Sequence, residues 1–396
     1  MDEKEYVIIG AGIIGSSIAR ELRKRNIGEV LVIEKEESLG RHASGRNSGV
    51  VHSGINQIPG TIKAEMCLRG NKMLREYCKE KGVALNECGT LVVSKTKEEE
   101  IILYSILGMG NEAGVKGLRI INKEELNEKE PKINGNKALF SPNGAIVNSR
   151  GLLETVVEEA KQLGAEFIFN ENVVNIKNRV IITEKNEYKA EHIINCAGLY
   201  ADKIAHLMGI ALDCRIIPFR GEYKELKNAE INSMVYQPPD LRYPFLGVHL
   251  TKTIDNKVIA GPNAMLSLGR ESYEKQINFE ETIEMLETKN FWNLLISREF
   301  LKLLSKNAKT SFFDSAFIKE IKNLYPSAKE DDILPYKAGI RAQVVNREGK
   351  MIDDMRIYFE KNSTHVLNVV SPGMTSSFAF AEYVINKIKN NALSSN

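Results

Sequence analysis

The pattern of apolar and polar positions changes period near the start of the chain. Tyr6-Val-Ile-Ile9 is a continuous apolar run of strand type, Gly10-Ala-Gly12-Ile-Ile-Gly15 is a glycine-rich turn, and a helical period follows. Ile14, Ile18 and Leu22 fall on its inner face, with Arg20, Arg23, Lys24 and Arg25 outside. A second apolar run, Val30-Leu-Val-Ile33, ends on Glu34. Strand, turn, helix and strand in this order predict a βαβ unit.

Further along, 62–81 reads as a helix with Ile62, Met66, Leu74, Tyr77 and Cys78 near one stripe, closed by Gly82. Short strands are expected over 89–94 and 118–121, with a helix between them. A strand at 145–147, an amphipathic helix over 150–163 and a strand at 166–169 follow. The run 191–198 is a strand ending in small residues, whose backbone can approach a ligand, and 201–208 is a helix. Tyr223, Tyr236, Tyr243, Phe245 and Val248 alternate with polar positions as antiparallel strands require. Over 283–304 lies a helical run around Phe291, Trp292 and Phe300, with Arg298, Lys302, Lys306 and Lys309 nearby. A core helix is the first expectation there, and an amphipathic patch resting on an anionic membrane the second. The run 365–370 is a buried strand, and 371–377 opens a last helix reaching about residue 389.

The glycines of the first turn have separate duties. Gly10 permits the tight turn, Gly12 lets backbone N–H groups approach a pyrophosphate, and Gly15 lets the helix pack on the strand. Phosphates sit favourably at the helix N-terminus. Glu34 can accept hydrogen bonds from ribose hydroxyls, and its charge disfavours a 2′-phosphate and hence NADP. Dinucleotide binding therefore outweighs an ordinary glycine turn. The segment 40–55 carries four glycines among Ser44, Arg46, Asn47, Ser48, His52 and Ser53, the composition of a ligand cradle.

At 396 residues the chain is too long for one compact core, and two domains are expected. Lys+Arg of 54 against Asp+Glu of 52 gives nucleic-acid binding no global support. Five cysteines without a CxxC pair suggest buried thiols, with neither a disulfide framework nor a metal site. An N-terminus without an apolar signal core, and no apolar run of about 18 to 20 residues, place the protein in the cytoplasm. A peripheral seat on the inner face of the cell membrane is kept as a further option.

The first strand, the Asn195-Cys-Ala-Gly-Leu199 strand end and the small-residue segment near 371–377 together resemble the FAD-dependent oxidoreductases of the D-amino-acid-oxidase-like superfamily. Asn47-Ser-Gly-Val-Val-His-Ser-Gly-Ile55, Pro218-Phe-Arg-Gly-Glu-Tyr223, Arg242-Tyr-Pro-Phe-Leu-Gly-Val-His249, Gly261-Pro-Asn-Ala264 and Gly339-Ile-Arg-Ala-Gln343 sharpen this. They are similar to the L-2-hydroxyglutarate dehydrogenases and oxidases, although Gly373-Met374 departs from that family's Ala-rich turn. The resemblance implies an α/β, Rossmann-like FAD-binding domain, residues 1–84, 144–210 and 335–396. A second, mainly antiparallel-sheet substrate domain, 85–143 and 211–334, is inserted into it.

FAD is then the implied cofactor, bound noncovalently by preference. Its implied contacts are Gly10, Gly12, Ile13, Ile14, Gly15, Glu34 and Lys35; Ser44, Arg46, Asn47, Ser48 and Gly49; Val173, Ala197 and Gly198; and Gly339, Arg341, Gly373, Met374, Thr375 and Ser376. A helix starting near Thr375 would point its N-terminus at the flavin. The implied substrate is a small 2-hydroxy acid, L-2-hydroxyglutarate, and its two carboxylates call for cationic anchors. Arg220, Arg242 and Arg341 are the candidates, with Arg220 and Arg341 favoured by their glycine-flanked settings, and Tyr223, Tyr243 and Asn263 could add neutral donors. Hydroxyl oxidation needs a base, for which imidazole is the natural group. His249 is taken as the base and His52 as its neighbour beside the flavin, with exchange of the two roles left open. The electron acceptor is oxygen or a quinone. The alternatives are a related oxidase of an amine or of glycerol 3-phosphate, and a scaffold in which the flavin has no catalytic role.

Overall fold

In the computed structural model, residues 3–239, 247–298, 300–302 and 314–394 are described. The first sheet is built on β1 (Glu3–Ile9), which pairs in parallel with β2 (Val30–Ile33) on one side and β3 (Glu187–Asn195) on the other. β2 continues to Glu166–Ile168, while β3 pairs with Val180–Thr183 and, near its carboxyl end, with Ser363–Asn368. Both faces of this sheet are covered, which is why its central strands read as unbroken apolar runs. Ile8, Val32 and Ile194 pack with Ile18, Leu22, Phe380 and Val384 on one face, and Val7, Ile9, Leu31 and Ile193 with Ile176 and Ile204 on the other.

The helices on the first face are α1 (Ile13–Lys24), α2 (Ile62–Lys81) and the C-terminal helix, α4 (Gly373–Ser394), which opens two residues before the expected Thr375. Arg20, expected outside, is buried because its guanidinium pairs with Glu159 from the helix Ser149–Gln162. Thr61 caps α2 by accepting the Ala64 N–H at 3.1 Å, and Gly82 ends it in the left-handed conformation.

A nine-stranded mixed sheet forms the second layer. In order it contains Met265–Leu266, β4 (Arg215–Leu226), Val258–Gly261, β5 (His249–Lys252), Met234–Tyr236, Thr90–Ser94, Lys137–Ser141 and Arg119–Ile121. Its longest ladder joins β4 to β6 (Ile333–Val345), from Arg215↔Val345 to Leu226↔Ile333. The segment 335–345 was expected with the dinucleotide sheet. It pairs in the second sheet instead, running antiparallel to β4 along its length with a register shift between Glu222 and Lys224. β5 starts at His249. A helix over Lys97–Glu112, α3, covers one face of this sheet through Leu103 and Ile106.

The run 283–304 is not one helix. Thr288 caps a new start, giving Phe279–Leu286 and Lys289–Ile296, and residues 303 and 304 lie outside the described residues. Phe291, Leu294 and Phe300 are buried, whereas Phe279, Ile283, Trp292 and Ile296 face outward. Among the described residues no helix is long and apolar enough to cross a membrane.

Candidate active site

A continuous cavity of about 1530 Å³ runs from the carboxyl ends of β1 and β2 to the second sheet. At the first turn Gly10 has φ +106°, and a Cβ there would stand 2.6 Å from the Cys196 carbonyl oxygen, so no other residue fits. Gly12, at the N-cap of α1, contributes no capping side chain. Instead the Ile13 N–H donates to Ser44 Oγ at 2.9 Å, from the glycine-rich segment folded across the helix start. Glu34 accepts from the Ala11 and Glu36 N–H groups at 2.8 and 3.0 Å, which sets its carboxylate on the cavity wall.

Around this end stand Ile13, Ile14, Lys35, Val173, Ala197 and Gly198. Lys35 is held by Glu271 at 2.5 Å, and Tyr200 donates to the same carboxylate at 2.7 Å. His42 completes the closure, its Nδ1 lying 2.7 Å from the Tyr273 hydroxyl. Arg270 and Asp202 form a buried two-pronged pair at 2.7 and 3.0 Å that fixes this flap to the helix Ala201–Leu207.

The middle of the wall carries Arg46, Asn47 and Ser48. Asn47 shapes its own loop, with Nδ2 donating to Ser44 O at 2.8 Å and Oδ1 accepting from the Gly49 N–H at 2.8 Å. Arg46 stacks over Tyr273 at 3.9 Å. Gly339 lies against Arg46, where a Cβ would come within 2.8 Å of its carbonyl oxygen.

At the far end His52 and His249 share the cavity with Arg341, Tyr223, Tyr236 and Asn263. The His52 N–H donates to Thr375 Oγ1 at 3.0 Å, at the first turn of α4, and its Nε2 lies 3.3 Å from Ser371 Oγ. Gly373, Met374 and Thr375 complete that wall. His249 stacks on Tyr236 with ring centroids 4.4 Å apart. Its Nδ1 is 3.1 Å from the Gly247 carbonyl, which can only accept, so Nδ1 carries the proton and Nε2 keeps a lone pair. Burial pushes both imidazoles down from 6.5 to about 4. The positive charges of Lys63 and Arg341 lower His52 further, and a protonated His249 would do the same. Both rings are therefore neutral at pH 7 and able to take a proton. Burial also raises Tyr223 and Tyr236, which stay protonated.

Several expected contacts lie elsewhere. On β4 the residues Phe219, Gly221 and Tyr223 face the cavity, so Arg220 points to the opposite side of the sheet. There it is buried, paired with Glu222 at 2.5 Å and donating to the Tyr273 carbonyl at 2.7 Å. It is not a substrate anchor in this arrangement. Gly15 and Gly49 pack against Gly10 and Val147 and do not reach the wall, nor does Ser376, which is buried in α4. Arg242 and Tyr243 lie outside the described residues. Asn263 is on the wall, but its Oδ1 accepts the Glu222 N–H at 2.8 Å. Sequence reasoning missed Lys63 and Tyr236 on the wall, and the Tyr200–Glu271–Tyr273 closure. Only Tyr236 had left a trace, as an apolar strand position.

The donor set follows the order of a dinucleotide: a carboxylate at one end, a bare helix N-terminus in the middle, and a buried pocket with neutral imidazoles at the other. These residues fit FAD, with Glu34 toward the ribose, the α1 N-terminus toward the pyrophosphate and the start of α4 toward the ring. The fold and this cavity together define an FAD-dependent oxidoreductase.

The chain belongs to the DAO family, FAD dependent oxidoreductase, whose model matches residues 5–387. It is 37% identical over 385 residues to the L-2-hydroxyglutarate dehydrogenase of Indibacter alkaliphilus, covering 95% of this chain and 96% of that one. To the mitochondrial L-2-hydroxyglutarate dehydrogenase of Homo sapiens it is 33% identical over 419 residues, covering 97% and 88%. Among solved structures it resembles an L-alpha-glycerophosphate oxidase from Mycoplasma pneumoniae with FAD bound, at TM-score 0.79 and 22% identity over 98% of this chain and 95% of that one. A glycine oxidase from Geobacillus kaustophilus follows at TM-score 0.74 and 17% identity, with 98% and 95% covered. At these identities the two structures speak for the fold.

Proposed function

We propose that the protein oxidises L-2-hydroxyglutarate to 2-oxoglutarate with FAD as its cofactor. The observation that carries this reading is the convergence of two neutral histidines and a half-buried arginine at one end of a cavity whose other end suits a dinucleotide. Relatives that bear the name of this activity match nearly the whole chain. When bound, FAD supplies the two-electron oxidant that accepts hydride from C2.

The chain's own residues do the rest. Arg341, half-buried on the cavity wall, anchors the carboxylate next to C2 through its planar fork. His249 takes the hydroxyl proton at Nε2, since Nδ1 is committed to Gly247. The Tyr236 ring holds the imidazole in plane, and Tyr223 and Tyr236 exclude water from the reacting end. His52, tied to the start of α4, shapes the opposite wall. Oxygen or a quinone completes the cycle as electron acceptor. The outward apolar side chains of Phe279–Leu286 and Lys289–Ile296, flanked by exposed Lys289, Arg298 and Lys302, are the face we assign to a peripheral membrane contact.

Anaerobic titration of the yellow protein with L- and D-2-hydroxyglutarate is the direct test. Bleaching by the L form alone is expected, and His249→Asn keeps the colour but loses the bleaching. A flavin band untouched by either enantiomer refutes the activity, and bleaching of the variant at the wild-type rate removes His249 as base.

A further inference from the structure

A dicarboxylate needs a second cationic anchor, and with Arg220 turned away the cation at the histidine end that stands out among the described residues, beside Arg341, is a lysine that no sequence motif marked. Lys63 lines the histidine end of the cavity, with only 13% of its side chain exposed, and its charge bears on His52 as that of Arg341 does. It stands in the first turn of α2, where a cation opposes the helix macrodipole, so local helix energetics do not account for it.

Two successive aspartates hold this lysine in place. Asp354 accepts the Lys63 N–H at 2.9 Å and the Ile62 N–H at 3.3 Å, fixing the backbone. Asp353 accepts the Lys63 ammonium at 2.9 Å, fixing the head group. Asp353 also acts electrostatically on Arg341, so one carboxylate faces both cations. That carboxylate is the exposed partner, with 45% of its side chain open to solvent, and it can swing out while Lys63 stays on the wall. In the substrate-free chain a protein carboxylate thus occupies ground that suits a carboxylate of the substrate.

We propose that Lys63 forms the subsite for the distal carboxylate of a dicarboxylic 2-hydroxy acid, and that Asp353 is the resident counter-ion that this carboxylate displaces. The proposal rests on the hydroxy-acid oxidation proposed above and makes Lys63 the residue that separates diacids from monoacids.

The test compares kcat/KM for L-2-hydroxyglutarate with kcat/KM for L-2-hydroxybutyrate, which lacks the distal carboxylate, while bound flavin is followed by absorbance. In Lys63→Met the ratio is expected to fall about 10- to 100-fold, the range for losing a charge-assisted hydrogen bond. Lys63→Arg, which keeps the charge, restores most of the preference and guards against a variant that merely folds badly. Asp353→Asn, which leaves both cations in place, lowers the KM for the diacid. A ratio in Lys63→Met equal to that of the wild type, or a wild type without preference, overturns the subsite. A raised KM in Asp353→Asn overturns the counter-ion role. Wild-type protein inert toward both acids sinks the oxidation reading and the subsite with it, an outcome distinct from an unchanged ratio.

Discussion

Gly70 and Gly108 are both interior helix glycines, and replacing each by alanine should move stability in opposite directions. Alanine is favoured over glycine in a helix interior by about 1 kcal/mol. At Gly108, on the exposed side of α3, a new Cβ meets nothing within 4 Å, so that gain stands alone. At Gly70, in α2, the Cβ would lie 2.3 Å from the Thr375 carbonyl oxygen and 2.7 Å from Ser376 Cα, where α4 opens. Both obstacles are main chain and cannot rotate away. Restoring ordinary contact beyond 3.4 Å requires the two helices to part by about 1 Å. Overpacking of this kind costs about 1–3 kcal/mol, here at the upper end, so the net loss for Gly70→Ala is about 2 kcal/mol. The damage also reaches the site, because Thr375 Oγ1 accepts the His52 N–H and the start of α4 walls the cavity. Urea unfolding followed by flavin fluorescence, with FAD content after gel filtration, reads both effects. Gly108→Ala should unfold at higher urea with its flavin retained, and Gly70→Ala at lower urea with flavin lost. Midpoints that move in the same direction refute the packing argument.

The histidines make pH a second probe. With His52 and His249 lowered to about 4, both are already neutral well below neutral pH, so the acid limb of kcat/KM should fall near pH 4, and a limb near 6.5 would contradict the burial argument. Burial lowers His192 and His365 to about 4 as well, so the unfolded chain binds protons first. Their stabilisation is full above pH 6.5 and is lost as pH falls through 4, and an unfolding midpoint constant over that window would show these histidines to be charged when folded. Trp292, the only tryptophan and half exposed, reports on the membrane assignment. Its emission should shift to the blue with anionic vesicles and less so in high salt, and an unchanged spectrum would remove that face from consideration.

How far the site could be read in advance depended on the range of the interactions. Gly10, Gly12 and Glu34 lie within one strand-turn-helix-strand unit, so their relation to a dinucleotide follows from local geometry. His52 was picked out by its place in the glycine-rich segment and His249 by the Arg242-Tyr-Pro-Phe-Leu-Gly-Val-His249 motif, and the structure places both on the cavity wall. Arg220 was misread because flanking glycines do not say which face of a strand a side chain occupies; the pairing of β4 with β6 decides that. Lys63 was passed over because its meaning comes from Asp353 and Asp354, some 290 residues away, a separation that leaves no spacing to find.

The amino-acid sequence by itself therefore determined the βαβ unit, the cofactor class and the short list of candidate bases. Turn conformation, helix starts and apolar periodicity act between neighbours, and neighbours are visible in a string of residues. Only the tertiary structure decided which side chains share the cavity, the tautomer of His249 and the partner of each arginine. Which side chains share the cavity depends on strand parity, sheet register and the crossing of α2 with α4, set by segments more than a hundred residues apart, while the His249 tautomer and the Arg220 partner follow from the backbone path that brings Gly247 and Glu222 beside them.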